Sequence, residues 1–265
     1  MKNLVAVLSG PLNRAPERML SAIPCRIGAL ELRLDTLGDR VLAALSHTVA
    51  LVRSCRVFHG RPRLIFTWRS PAEGGGSPPP AGRVTVMDRL LPGLVRRGDL
   101  LDVEYRAGDC ERMLSLARRL GVHPVLSCHF LGAGGRECAG AERIAPSLIE
   151  VARRHAGYAK LVVREDREER IAALIAAVSR TDRKPRRATV FSTGETALVS
   201  RVAAILLGMP LVYAGLQRPV LPSQPTIASL CQALENAGLR EKRGKTAAHR
   251  HSCPAFGNDI RTAAA

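Results

Sequence analysis

Aromatic residues are scarce, at 3% of the 265 residues, so the chain has few platforms on which bases could stack. That scarcity argues against a nucleic-acid binder despite a formal net charge of +17. Acidic residues are also few, 23 against 40 lysines and arginines. The basic residues are dispersed along the chain, and a pocket for an anionic small molecule would use them equally well. No apolar run approaches the roughly 18 residues of a membrane helix, so the chain is expected to lie off the membrane. The opening Met1-Lys2-Asn3-Leu4-Val5-Ala6-Val7-Leu8 is too short for a secretory segment and is better explained as a strand. Seven scattered cysteines include no C-x-x-C pair, which suits reduced thiols in a cytoplasmic protein. His249, His251 and Cys253 sit in a C-terminal tail where nothing would hold them rigid as metal ligands.

What the sequence does have is a hydrophobic content of 46%, ample for one large core. Strand-like runs occur at residues 4–8, 29–34, 63–68, 100–105, 124–129, 159–163, 188–191 and 211–214. Between and after them, apolar residues recur at helical spacing over 40–52, 84–97, 110–120, 147–155, 167–179, 196–207 and 227–237. Pro11 and Pro16 shorten the helix after the first strand to about 16–21. Eight β units, seven of them followed by a clear helix, predict an α/β fold: a single-domain (β/α)8 TIM barrel over residues 1–238. Residues 239–265 turn basic and then small and polar, and read as a disordered tail. The Gly- and Pro-rich stretch 70–80 is a loop after the third strand, either a lid over the site or a solvated connection.

Two of the strands carry residues that apolar strands rarely hold. Lys160 lies within Tyr158-Ala159-Lys160-Leu161-Val162-Val163, and His129 nearly ends Val125-Leu126-Ser127-Cys128-His129-Phe130. Desolvation would lower the pKa of such a lysine and make its amine a nucleophile for carbonyl carbons. A nearby histidine would then move protons on the imine. Taken singly, each also fits an ordinary role, an edge lysine or a hydrogen-bonded core histidine. Strand alternation groups further residues: Glu31, Arg33 and Asp35; Asp102 and Glu104; Ser127 and His129; Lys160 and Val162. Polar groups repeated near the ends of successive strands describe a pocket at the top of a barrel. A purely structural ion-pair network among Glu31, Arg33, Arg69 and Glu104 is the competing account.

In their order these residues resemble the type I 3-dehydroquinate dehydratases, the Schiff-base-forming dehydroquinases of the shikimate pathway. Glu31-Leu32-Arg33-Leu34-Asp35 matches an E-x-R-x-D strand, and Phe66-Thr67-Trp68-Arg69 with Glu73-Gly74-Gly75 an F-T-x-R…E-G-G segment. Asp102-Val103-Glu104, Ser127-Cys128-His129 and Ala159-Lys160-Leu161 match the next three strands. Gly194-Glu195 through Ser200-Arg201, and Pro222-Ser223-Gln224, match the closing segments. The resemblance implies that Lys160 forms an iminium with 3-dehydroquinate, that His129 transfers the protons, and that Glu73 orients His129. It also implies that Arg201 binds the substrate carboxylate, that Glu31, Arg33 and Arg69 hold the ring hydroxyls, and that Gln224 closes the pocket. Tyr213 would be its aromatic wall. No metal or organic cofactor is implied, since the lysine is the electron sink, and a homodimer is expected.

The chain departs from the family pattern at three places. Phe130 follows His129 directly where Asp or Asn is usual, and residues 132–140 look like an insertion. The closing segment reads Val220-Leu221-Pro222-Ser223-Gln224, with serine in place of a glycine, which is expected to loosen the lid. Three other readings compete: a catalytically weakened relative that serves as a binding protein, a different Schiff-base lyase or aldolase, and a basic nucleic-acid-binding protein.

Overall fold

A computed structural model describes residues 2–9, 20, 23–37, 45–55, 57–58, 60–76, 81–132, 136–216 and 223–239. Eight strands form one parallel sheet: β1 (Leu4–Leu8), β2 (Ala29–Arg33), β3 (Leu64–Thr67), β4 (Leu100–Glu104), β5 (His123–Phe130), β6 (Tyr158–Val163), β7 (Ala188–Ser192) and β8 (Val212–Gly215). Their order is 7-6-5-4-3-2-1-8, so β1 pairs with both β2 and β8 and the sheet curls into a nearly closed (β/α)8 barrel. The strands read as near-continuous apolar runs because both faces are covered, as parallel strands require. Outward residues such as Leu32, Phe66, Val103, Leu126 and Leu161 pack in the large core beneath the helices.

The flanking helices are α1 (Leu45–Ser54), α2 (Arg83–Leu90), α3 (Cys110–Arg119), α4 (Glu137–Arg154), α5 (Glu168–Thr181), α6 (Ala197–Leu206) and α7 (Ile227–Asn236). Two depart from the sequence reading. The second ends at Leu90 rather than 97, because Pro92 follows closely and Gly93 takes φ 80°. The fourth begins at Glu137, ten residues before the expected start, with Pro146 inside it. Proline removes one helical hydrogen bond, yet Ala141, Ala145, Leu148, Ile149 and Ala152 all bury against the barrel and hold the helix together. The last four residues of the apparent insertion at 132–140 are therefore the start of α4. The expected helix at 16–21 lies outside the described residues except for the buried Leu20, as do 240–265 with His249, His251 and Cys253.

Inward positions change character along each strand. Ala29, Leu100 and Val125 near the strand starts join Val5 and Ile65 in an apolar floor. Two and four residues later the same faces carry Glu31 and Arg33, Asp102 and Glu104, Ser127 and His129, all buried. Polarity is thus confined to the C-terminal mouth of the barrel. Among the described residues no ladder joins β7 to β8. Arg201 on α6 spans that seam: its Nε donates to the Tyr213 carbonyl and an Nη to the Ser192 carbonyl, each at 2.6 Å. No described helix is long and apolar enough to cross a membrane. Cys110, Cys128 and Cys138 carry free thiols, and Cys231 Sγ donates to Cys25 Sγ at 3.0 Å.

Candidate active site

One cavity at the C-terminal mouth is lined by Glu31, Arg33, Arg69, Glu73, His129, Lys160, Arg201 and Gln224, with Val7, Val162, Phe191 and Tyr213 as its apolar walls. Every site residue expected from the sequence is thus at one place. Lys160 reaches it from the middle of β6, flanked in register by Ser127 of β5 and Thr189 of β7. Its surroundings correct the sequence picture of an amine alone in an apolar strand. Nζ lies 3.5 Å from Glu31 Oε1 and 3.5 Å from Asp102 Oδ2, and 4.0 Å from the centre of the Tyr213 ring. Thr67 donates to the same Glu31 oxygen at 2.8 Å and fixes it. Ser127 likewise donates to Asp102 Oδ1 at 2.8 Å. Two carboxylates positioned by hydroxyls therefore compensate a lysine that is 4% exposed.

Glu73 reaches the cavity through a tight turn. Pro71–Glu73 form one turn of 3-10 helix that ends on Gly74 in the left-handed region, φ 80°. A β-carbon on Gly75 would lie 2.0 Å from the Arg69 carbonyl oxygen, so only glycine lets the chain fold back so closely. The fold-back sets Glu73 Oε2 2.7 Å from His129 Nδ1 and 3.2 Å from Arg69 Nη1. Residues 71–76 thus form a pinned turn; 77–80 lie outside the described residues. Burial pushes Glu73 up to about 7, with help from Glu104 and Asp102 and against Arg69 and Arg106. Burial also holds His129 well below the usual imidazole range, and Arg69, Lys160, Arg33 and Arg106 add to this. The imidazole is therefore neutral at neutral pH. With Glu73 ionised, Nδ1–H donates to the carboxylate and the Nε2 lone pair is left as a base.

Arg69 is the hub of a buried network. It lies 2.7 Å from Asp102 and 3.3 Å from Glu104, and donates to the Ser127 hydroxyl at 2.7 Å. Glu104 is also 2.6 Å from Arg83, which pairs with Asp109 as well. The expected ion-pair network is real around Arg69 and Glu104, but Glu31 and Arg33 make their direct pairs elsewhere. Arg33 forks onto Asp35 at 2.9 and 2.7 Å, and Asp35 also accepts from the Arg69 and Gly76 amides. Arginine compensation therefore separates two roles. Arg33, Arg69 and Arg83 each face a carboxylate, whereas Arg201, 1% exposed, pairs with none among the described residues. Backbone carbonyls and the Phe191 ring 4.3 Å away hold it instead. Burial lowers its pKa to about 9, so it keeps its charge at neutral pH. A buried, uncompensated guanidinium lining a cavity is a site for an anion.

The departures from the family pattern find local answers. Leu131, two residues after His129 and inward-facing, packs on the wall, with a methyl 2.9 Å from where a Gly74 β-carbon would stand. Phe130 faces outward against α4. Ser223, expected to loosen the closing segment, donates its hydroxyl to the Thr193 carbonyl and ties that segment to the end of β7. Val220, Leu221 and Pro222 lie outside the described residues. The compensating role of Asp102 at Lys160 and the bridging role of Ser127 were not read from the sequence. Their shared inward faces were the available signal, since each stands beside Lys160 or Arg69.

Known proteins share this architecture and a minority of its residues. The chain is 25% identical over 212 residues to the 3-dehydroquinate dehydratase of Hydrogenobaculum sp. strain Y04AAS1, covering 80% of this chain and 89% of that one. Crystal structures with the same fold include the 3-dehydroquinate dehydratase from Aquifex aeolicus VF5, at 20% identity and TM-score 0.66 over 88% of this chain and 97% of that one. The enzyme from Geobacillus kaustophilus HTA426 superposes with TM-score 0.67 at 22% identity, over 89% of this chain and 92% of that one. The sequence model of the type I 3-dehydroquinases matches residues 5–241, which takes in the eight strands, apart from Leu4, and the cavity at their ends, and the chain belongs to that family.

Proposed function

We propose that Lys160, His129 and Glu73 carry the reaction of this hydro-lyase, the dehydration of 3-dehydroquinate to 3-dehydroshikimate in the shikimate pathway. The observation that carries the assignment is the sharing of one cavity by a lysine amine, a neutral histidine and an uncompensated arginine. The Lys160 amine adds to the substrate ketone and loses water to form an iminium. The iminium draws electrons from the neighbouring C–H bond. His129 Nε2 takes that proton and then returns one to the leaving hydroxyl, and water hydrolyses the imine to free product and lysine. Glu73 keeps the Nδ1 proton in place, so the base is the nitrogen facing the cavity. Glu31, Arg33 and Arg69 face the ring hydroxyls, Gln224 covers them, and Tyr213 forms the wall. The lysine supplies the electron sink, so the chemistry calls for no metal or organic cofactor.

A cytoplasmic homodimer fits this reading. The free thiols of Cys110, Cys128 and Cys138 favour the cytoplasm, and the exposed Leu198, Val199, Leu206 and Leu207 on and just after α6 offer a second copy an apolar face. We take 1–238 as the catalytic domain and 239–265 as a separate tail. Borohydride reduction in the presence of 3-dehydroquinate, read by intact mass and peptide mapping, tests the mechanism. A stable adduct on Lys160 is expected. No adduct with normal turnover would remove the covalent route, and no adduct with salt-sensitive nucleic-acid binding would favour the basic-protein reading.

Arg201 gives a second test. A charge-assisted pair contributes about 1.5–3 kcal/mol, so Arg201→Ala should raise KM roughly ten- to a hundredfold. The seam between β7 and β8 adds a second effect, because the variant also loses the two 2.6 Å bonds to the Ser192 and Tyr213 carbonyls and should melt lower. Arg201→Lys keeps a cation and should recover part of KM. An unchanged KM in a folded Arg201→Ala variant would place the substrate carboxylate elsewhere.

A further inference from the structure

Arg106 stands just outside the cavity, on the loop that follows β4. The amide of Tyr105 donates to the Ser127 carbonyl at 2.8 Å, which fixes where the chain leaves the sheet. From there Arg106 Nη2 donates to the backbone carbonyl of His129 at 2.6 Å. Its guanidinium carbon lies 4.4 Å over the Phe130 ring. The same group is 3.9 Å from Glu73 Oε1, the carboxylate oxygen that His129 does not use. One half-exposed side chain thus touches the backbone of the histidine, the ring after it and the free oxygen of its partner. We propose that Arg106 is a positioning residue for the His129–Glu73 pair, holding both in the geometry that keeps Nε2 of His129 as the base. This inference rests on the roles assigned to those two residues above.

The charges around the pair give the inference a signature beyond simple support. Glu73 is faced by Arg69, Glu104, Asp102 and Arg106 as well as by His129. His129 is faced by Arg69, Lys160, Arg33 and Arg106. The positive charge of Arg106 disfavours protonation of both members, so its loss should move both upward in pH. Activity requires His129 unprotonated and Glu73 ionised, so the acid limb of the rate profile should move upward too. Arg69 stays within 3.2 Å of Glu73 in any Arg106 variant and limits the size of the shift.

Arg106→Ala, Arg106→Gln and Arg106→Lys, assayed for kcat, KM and the pH profile, separate hydrogen bond from charge. Loss of one charge-assisted bond from a solvent-screened residue predicts for Arg106→Ala a roughly tenfold fall in kcat, a KM changed less than about twofold, and an acid limb raised by about half a pH unit. Arg106→Gln keeps a donor and should recover part of kcat but not the limb; Arg106→Lys should restore the limb. Wild-type kcat and an unmoved limb in Arg106→Ala would overturn the proposal, as would a loss confined to KM. Failure of the lysine mechanism would show separately, as wild-type enzyme that yields no borohydride adduct on Lys160.

Discussion

Lys160→Ala is expected to abolish turnover and to lower the melting temperature as well. The imine supplies most of the acidity of the reacting C–H bond, so the loss in kcat should exceed about a thousandfold. Retention of more than about one per cent of wild-type turnover would sink the covalent route. Taken from the sequence, removal of a desolvated lysine should leave stability untouched. The carboxylates reverse that expectation, because Glu31 and Asp102 each lie 3.5 Å from the amine. Asp102 keeps Arg69 at 2.7 Å after the substitution, whereas Glu31 is left without a cation in salt-bridge range among the described residues. Breaking a buried pair on one side costs about 3–5 kcal/mol, and the Thr67 hydroxyl on Glu31 should keep the loss near the lower end. Adding Glu31→Gln to Lys160→Ala removes the orphaned charge and should recover much of the melting temperature without any turnover. A double variant as unstable as the single one would show that Glu31 is not the source of the loss.

The same pair of residues shows where the sequence stopped being informative. Period-two alternation was enough to place Glu31, Asp102, Ser127, His129 and Lys160 inside the barrel, because both strand faces obey a fixed geometry. Alternation gives a face but no neighbour, so the lysine read as an amine among apolar residues. Its partners come from strands β2 and β4, 129 and 58 positions earlier in the chain, and only closure of the sheet brings them within 3.5 Å. Arg201 was legible as an anion site through its family segment. Its second duty across the β7–β8 seam was not, because that depends on a gap in the ladder that no local pattern encodes. The first ten residues of α4 were hidden for a different reason: Pro146 opposes a helix locally, and burial of five small or aliphatic residues outweighs it. Arg106 left no trace either, being one exposed arginine among many on a basic chain.

His129→Ala is expected to trap the reaction at its covalent stage. Addition of the Lys160 amine needs only modest proton transfer, whereas elimination and imine hydrolysis each need a positioned base or acid. The variant should therefore show more borohydride-reducible adduct than wild type at the same substrate concentration, with kcat lower by roughly two to four powers of ten. Glu73 would lose its 2.7 Å partner but keep Arg69 at 3.2 Å, so the turn that carries it should hold. Rescue by a second histidine on β5 is ruled out by geometry. His123 begins that strand and is exposed at the opposite mouth, and six residues of strand span about 20 Å. Full activity in His129→Ala would instead hand the proton transfer to another group in the cavity. A variant that is inactive and forms no adduct would mean that His129 is needed for the addition of the amine as well as for the later proton transfers.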